Sequence, residues 1–167
     1  MVWKTGAGDP YALLAALLRE TKGVDPLPEI ARTEAGKPYF PHRPELHFSL
    51  SHSGDLALCA LADAPVGCDI ELVRPRKPGL PRYVLSDREY GWYEGRGSRW
   101  EDFYTLWTLK EARVKCTGEG LFRRPARAIS VPPLGPGESA LWEGFAFTAL
   151  AGEGWRGALC RKNYEQT

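Results

Sequence analysis

Apolar positions recur along this chain with two different periods, and the switches between them mark out its elements. After Asp9-Pro10, Leu14, Leu17 and Leu18 keep helical spacing and Gly23 stops it, so a first helix is predicted over Asp9 to Lys22 with Asp9 as its cap. Val24 to Pro44 is rich in proline, glycine and charge and reads as loop with room for a short strand. Leu46 to Leu50 alternates apolar and polar, Ser51-His52-Ser53-Gly54 is turn-like, and Leu56 to Ala62 is a continuous small apolar run, which together predict two neighbouring strands. Asp63-Ala64-Pro65 punctuates, and Val66 to Val73 gives a third strand. Pro75, Pro78 and Pro81 keep the next segment irregular until Ser86-Asp87-Arg88-Glu89 opens a short helix. Ser98-Arg99-Trp100-Glu101 has the S-x-x-E capping form, and the long helix it starts should run to about Cys116 before Gly118 and Gly120 end it. Leu141 to Leu150 and Trp155 to Cys160 bracket Gly152-Glu153-Gly154 as a closing hairpin. The fold class is α+β with mostly antiparallel strands.

Composition narrows the partners. In 167 residues, 22 lysines and arginines face 21 aspartates and glutamates, so no global field draws the protein to nucleic acid or to an anionic membrane. The apolar run Tyr11 to Leu18 is far below spanning length, and Arg19 and Glu20 follow it where a cleavage site would be expected. Cys59, Cys68, Cys116 and Cys160 form no C-x-x-C pair and lie at no zinc-ligand spacing from a histidine, so they read as reduced, buried small residues of a cytoplasmic protein.

Two segments carry chemistry. On the strand Val66 to Val73, Val66, Cys68, Ile70 and Leu72 share one face while Asp69 and Glu71 share the other, their Cα atoms roughly 7 Å apart. Two carboxylates that close repel unless a cation or basic group lies between them, and a hard divalent ion suits them; an acidic pair on a solvated face is the plainer alternative. On the long helix, Trp100, Phe103, Leu106, Trp107 and Val114 form the buried stripe, with Glu111 and Lys115 along its edge. Glu111 and Lys115 can equally be an ordinary i, i+4 salt bridge. Lys110 falls inside the apolar arc, where a lysine must snorkel or meet an anion.

Taken together, Gly67-Cys68-Asp69-Ile70-Glu71 and the stretch from Trp107 through Lys110-Glu111-Ala112-Arg113-Val114-Lys115 resemble the paired signature motifs of the 4′-phosphopantetheinyl transferase superfamily. Gly36-Lys37-Pro38 and Phe48-Ser49-Leu50-Ser51-His52-Ser53 match the upstream motifs of its larger, Sfp-type branch. The resemblance implies a pseudo-dimeric fold of two similar halves around a crevice, here 1–64 (shortened at its start) and 65–167, and a monomer. It implies transfer of 4′-phosphopantetheine from coenzyme A to a serine of an acyl or peptidyl carrier protein, with release of 3′,5′-ADP.

By the same resemblance, Asp69, Glu71 and Glu111 hold Mg²⁺, with Mn²⁺ as the alternative, against the coenzyme A pyrophosphate. Lys115 and Lys110 stabilise phosphate charge, Glu89 is the general base, and Lys37, Ser51 and His52 contact the phosphates. Arg82 fits an arginine that precedes the helix of Glu89, its role open. This branch usually carries a longer N-terminal part with basic residues, so the expectation is either weaker coenzyme A affinity or Lys4 or Arg43 standing in for them. The carrier surface is expected at Leu121-Phe122-Arg123-Arg124, an apolar patch edged with arginine. Three other readings compete: a coenzyme A-binding module without transferase activity, a trimeric holo-[acyl-carrier-protein] synthase-type enzyme, and an unrelated Mg²⁺-dependent pyrophosphatase.

Overall fold

The computed structural model describes residues 1–120 and 124–164. In chain order its elements are β1 (Val2–Ala7), α1 (Pro10–Lys22), the two-residue strands β2 (Ala31–Arg32) and β3 (Pro38–Tyr39), β4 (His47–Ser53), β5 (Leu56–Ala62) and β6 (Val66–Leu72). There follow α2 (Leu80–Val84), α3 (Asp87–Gly95), α4 (Trp100–Thr117), β7 (Ser139–Trp142), β8 (Phe145–Gly152) and β9 (Trp155–Lys162). Among the described residues two larger antiparallel sheets, ordered β1-β5-β4 and β6-β9-β8-β7, form beside the small antiparallel pair β2-β3, so the α+β class holds.

The two sheets repeat one topology. In each, a first strand leads into a helix and then a hairpin, and the second hairpin strand pairs antiparallel with the first strand. α1 lays Leu14, Leu17 and Leu18 on Phe48, Cys59 and Leu61 of the first sheet. α4 packs Leu106, Leu109 and Ala112 against Phe147, Ala149 and Ala158 of the second. Between the sheets lies a third core of Leu58, Ala60, Val66, Cys68, Ile70 and Leu159. The unbroken apolar run of β5 is thereby explained: Cys59 and Leu61 face α1, while Leu58, Ala60 and Ala62 face the other sheet.

Local signals succeed and fail for identifiable reasons. Asp9 caps α1 by accepting from the Tyr11 N–H at 2.9 Å, and Gly23 ends it in the left-handed region (φ 64°). Ser51-His52-Ser53, expected in a turn, continues β4; the turn is Gly54-Asp55, where Gly54 has φ 58°. The capping box expected at Ser98 and Glu101 does not form, because Ser98 itself is left-handed (φ 56°) and Arg99 is the cap of α4. The box is made instead at α3 by Ser86 and Glu89. Leu141 belongs to a separate strand, β7, which turns at Glu143-Gly144, and β1 is a strand that the apolar pattern does not predict. Among the described residues no helix is long and apolar enough to cross a membrane, and all four cysteines are free and buried.

Candidate functional site

The site begins with a glycine. β6 sends Val66, Cys68 and Ile70 into the core between the sheets, so Gly67, Asp69 and Glu71 turn the opposite way, toward α4. At Gly67 a Cβ atom would collide with the Ala112 carbonyl oxygen and the Cys116 backbone nitrogen. Only glycine lets the helix lie against the strand here, and that contact brings Lys115 to Asp69, Nζ to Oδ1 at 2.8 Å. Ser51 Oγ donates to the same Oδ1 at 2.9 Å, and Ser53 Oγ donates to Glu71 Oε2 at 3.0 Å. The other Asp69 oxygen, Oδ2, is buried and has no hydrogen-bond partner.

Electrostatics follows from crowding three acids beside one ammonium. Burial and then the charges of Asp69 and Glu71 push the Glu111 carboxyl up to about 7, against the opposing pull of Lys115. Burial also raises Asp69, with Lys115 and Ser51 working the other way, and raises Glu71, with Asp69 adding to the effect. At Lys115 burial favours the neutral amine, yet the charge and hydrogen bond of Asp69, with a smaller contribution from Glu111, hold it above the ordinary lysine value. Fully ionised, the cluster carries an excess of negative charge that one lysine does not cancel.

Those donors suit a hard divalent cation: oxygen ligands only, mutual repulsion to relieve, and one buried carboxylate oxygen still free. They are not closed into a finished cage. Among the described residues no group of three or more His, Cys, Asp or Glu is arranged to hold a metal ion, and Asp69 is held by Lys115 instead.

The cluster opens onto a pocket of ≈ 350 Å³ whose walls include Lys37, Pro38, Phe48, Leu50, Glu111 and Lys115. A wider space of ≈ 560 Å³ shares Lys37, Gly118 and Gly120 with it and adds Thr33, Glu34 and Glu119. Glu71 lines a different pocket, of ≈ 300 Å³, with Arg76, Leu80, Tyr83, Phe103 and Trp107.

The structure brings together Asp69, Glu71, Glu111 and Lys115 and takes several other expected residues elsewhere. Lys110 does meet an anion, Glu89, at 2.7 Å, with exposures of 1% and 0%. Lys110 also donates to the Ala126 and Ile129 carbonyls, while Glu89 accepts from the Ser86 and Val131 N–H groups. Both expected roles, base at Glu89 and phosphate contact at Lys110, thus fall on side chains that this structure seals against each other. Lys37 lines the pocket, yet its ammonium is taken by the carbonyls of Val66, Lys115 and Cys116, two of them at the C-terminal end of α4 where a cation is favoured. Ser51 bonds to Asp69 and to the Ile70 N–H, and His52 is exposed on β4 and lines none of these pockets.

Lys4 and Arg43, the other expected basic contacts, are tied to Glu20 and Glu45, each at 2.6 Å. Arg82 lies over the Tyr90 ring, 4.3 Å from its centre. Of the expected carrier surface, Leu121, Phe122 and Arg123 lie outside the described residues, and Arg124 is exposed with Glu119 at 3.9 Å. Gly67 and Ser53, present in the two motifs but assigned no role by them, both shape the site.

Comparison with known proteins adds a consistent set of similarities. Residues 65–160 match the sequence model of the 4′-phosphopantetheinyl transferase superfamily. The 4′-phosphopantetheinyl transferase Sfp of Bacillus subtilis (strain 168) is 37% identical over 90 residues, covering 53% of this chain and 40% of the relative. The 4′-phosphopantetheinyl transferase AcpT of Escherichia coli (strain K12) is 44% identical over 108 residues, covering 62% of this chain and 54% of the relative. This chain thus spans about half the length of the curated relatives it matches. Among solved structures, the holo-[acyl-carrier-protein] synthase AcpS of Thermotoga maritima aligns with a TM-score of 0.45 at 18% identity, over 60% of this chain and 63% of that one.

Proposed function

Because the chain belongs to the 4′-phosphopantetheinyl transferase superfamily, we propose that it transfers the 4′-phosphopantetheine group of coenzyme A to a serine of an acyl or peptidyl carrier protein, releasing 3′,5′-ADP. The observation that carries this reading is the meeting of β6 and α4. Lys115 pairs with Asp69 at 2.8 Å, Lys115 and Glu111 line one pocket, the charges of Asp69 and Glu71 act on Glu111, and one buried Asp69 oxygen accepts no hydrogen bond.

In this proposal Asp69, Glu71 and Glu111 hold Mg²⁺, or Mn²⁺ in its place. Bound there, the ion would offset negative charge on the diphosphate under attack and on the departing 3′,5′-ADP. Lys115, at the pocket wall, orients the phosphates by a charge-assisted contact. The apolar walls Pro38, Phe48 and Leu50 keep water from one side of the bound nucleotide. The carrier serine oxygen bonds to the β-phosphorus as the bond to the 3′,5′-ADP oxygen breaks in line. The hydroxyl proton passes to solvent water at the open side of the pocket, since in this structure both Glu89 oxygens are engaged by Lys110, Ser86 and Val131.

The units 1–64 and 65–167 form the two sides of the crevice in this reading. Lys37 of the first and Glu111 of the second share one pocket, so a monomer suffices. The carrier, being acidic, is proposed to approach the exposed basic run Arg74, Arg76, Lys77 and Arg82 beside Tyr83, which adjoins the pocket that contains Glu71.

The test is to incubate the protein with coenzyme A, Mg²⁺ and apo carrier proteins of both kinds and weigh the carriers by mass spectrometry. A mass increase equal to one phosphopantetheine, absent on chelation, is expected. No increase on any carrier, with coenzyme A still bound, would favour a binding module. Sedimentation of the protein as a trimer with no monomer would favour the synthase-type assembly.

A further inference from the structure

The outer edge of β6 is closed by side chains where a strand would normally close it. On one side β6 pairs with β9 through a regular ladder. On the other, the N–H groups of Cys68, Ile70 and Leu72 each donate to a serine hydroxyl of β4: Ser49 at 3.0 Å, Ser51 at 3.2 Å and Ser53 at 3.1 Å. A buried backbone N–H must find an acceptor, and these three serines, at every second position, supply one each. A serine that accepts from the backbone still has its own O–H to give. Ser51 gives it to Asp69 and Ser53 to Glu71. Each of those pairs spans the same 18 positions of sequence, so a single strand register serves both.

We propose that Ser51 and Ser53 are positioning residues for the cation site, supplied by the first repeated unit to acids carried by the second. Each hydroxyl is held in place by a backbone N–H and in turn fixes the rotamer of one carboxylate. Asp69 Oδ1 is held by Ser51 and Lys115, which leaves Oδ2 as the oxygen free for an ion. A slip of one residue between β4 and β6 would present Leu50 and His52 to the acids, and both orienting bonds would vanish together. This rests on the cation reading of Asp69 and Glu71 given above, and it replaces the phosphate contact expected of Ser51. Ser49 is a built-in control, since it accepts from Cys68 N–H in the same way but donates to neither carboxylate.

The experiment is Mn²⁺ binding to the purified protein without coenzyme A, followed by electron paramagnetic resonance, beside thermal melts of each variant. Ser51→Ala and Ser53→Ala should each weaken Mn²⁺ binding by about 10-fold, the lower end of what loss of an orienting partner costs a metal site. Ser53→Thr, which keeps the hydroxyl, should bind within a few-fold of the parent. Ser49→Ala should melt lower, as the other two do, yet bind Mn²⁺ like the parent. If the alanine variants do not fold, Ser51→Cys and Ser49→Cys give the same contrast by leaving a side chain in place while weakening its hydrogen bonds.

Alanine variants that bind Mn²⁺ as the parent does would overturn the proposal, and so would Ser49→Ala losing as much as they do. Metal-free affinity for 3′,5′-ADP should be unchanged in Ser51→Ala; a loss there would make Ser51 a phosphate contact after all. A parent protein that binds no Mn²⁺ would defeat the cation reading itself, and this inference with it.

Discussion

α4 carries two lysine–carboxylate pairs five residues apart, and they differ in almost everything except chemistry. Lys110 meets Glu89 in a sealed interior, at 1% and 0% exposure, with further bonds from backbone groups around them. Lys115 meets Asp69 at a pocket wall, where the lysine is one-third exposed, one Asp69 oxygen is unpaired and Glu111 crowds in behind. A helix turns about 100° per residue, so five positions swing the second lysine to another side. The comparison teaches that a buried ion pair is read by what else touches it. Complete satisfaction marks a strut, and a leftover oxygen with excess negative charge marks a place for a ligand.

Breaking the sealed pair should have the largest effect. Glu89→Ala leaves the Lys110 ammonium buried without its partner and should cost ~3–5 kcal/mol of stability, measured by chemical denaturation. The double variant Glu89→Leu with Lys110→Met should recover much of it, because removing both charges removes the desolvation cost. A Glu89 variant with full stability but no turnover would instead restore that residue as the base.

Breaking the open pair should strike activity. Asp69→Ala should lower transfer by about 10²–10³-fold or more while the protein stays folded, as judged by circular dichroism and carrier mass. Unfolding would make Asp69 a strut like Glu89.

The difference between the two pairs also traces what could be read from the amino-acid sequence. Strand alternation placed Asp69 and Glu71 on one face, and helical spacing placed Lys110 in the apolar arc and Lys115 at its edge, because each is a local periodicity. Which anion Lys110 meets depends on α3 folding back across α4, and no local pattern contains that. The resemblance gives Lys37 as a phosphate contact, and its bonds to the Lys115 and Cys116 carbonyls are illegible locally because they join positions 78 and 79 apart. Ser51-His52-Ser53 looked like a turn because its residues are small and polar; as strand residues, the two serines serve the edge of β6. The capping box went to the wrong serine because two S-x-x-E segments compete, and only Ser86 has the extended backbone a cap requires (φ −64°, ψ 165°).

A smaller effect sharpens the comparison through pH. Glu111 is raised in the folded protein from its ordinary 4.5 to about 7, so the stability it contributes is complete below the lower value and lost as pH rises through the upper. Metal-free protein should therefore lose melting temperature between pH 5 and 8, and Mn²⁺ should raise the melting point more at pH 8 than at pH 5.5. Equal shifts at both pH values would detach Glu111 from the cation.

Smallest of all, Lys37→Met should cost ~1 kcal/mol by removing the cation at the C-terminal end of α4. The Michaelis constant for coenzyme A should change little. A rise of 10-fold or more at unchanged stability would return Lys37 to the phosphates.

The convergence of β6 and α4 on one cation is tested most directly by a crystal grown with Mn²⁺ and coenzyme A and read by anomalous scattering. The account predicts a peak about 2.0–2.2 Å from Asp69 Oδ2, with Glu71 or Glu111 also in its coordination shell and the diphosphate on its open side. A peak elsewhere, or none while coenzyme A lies ordered in the pocket, would contradict it.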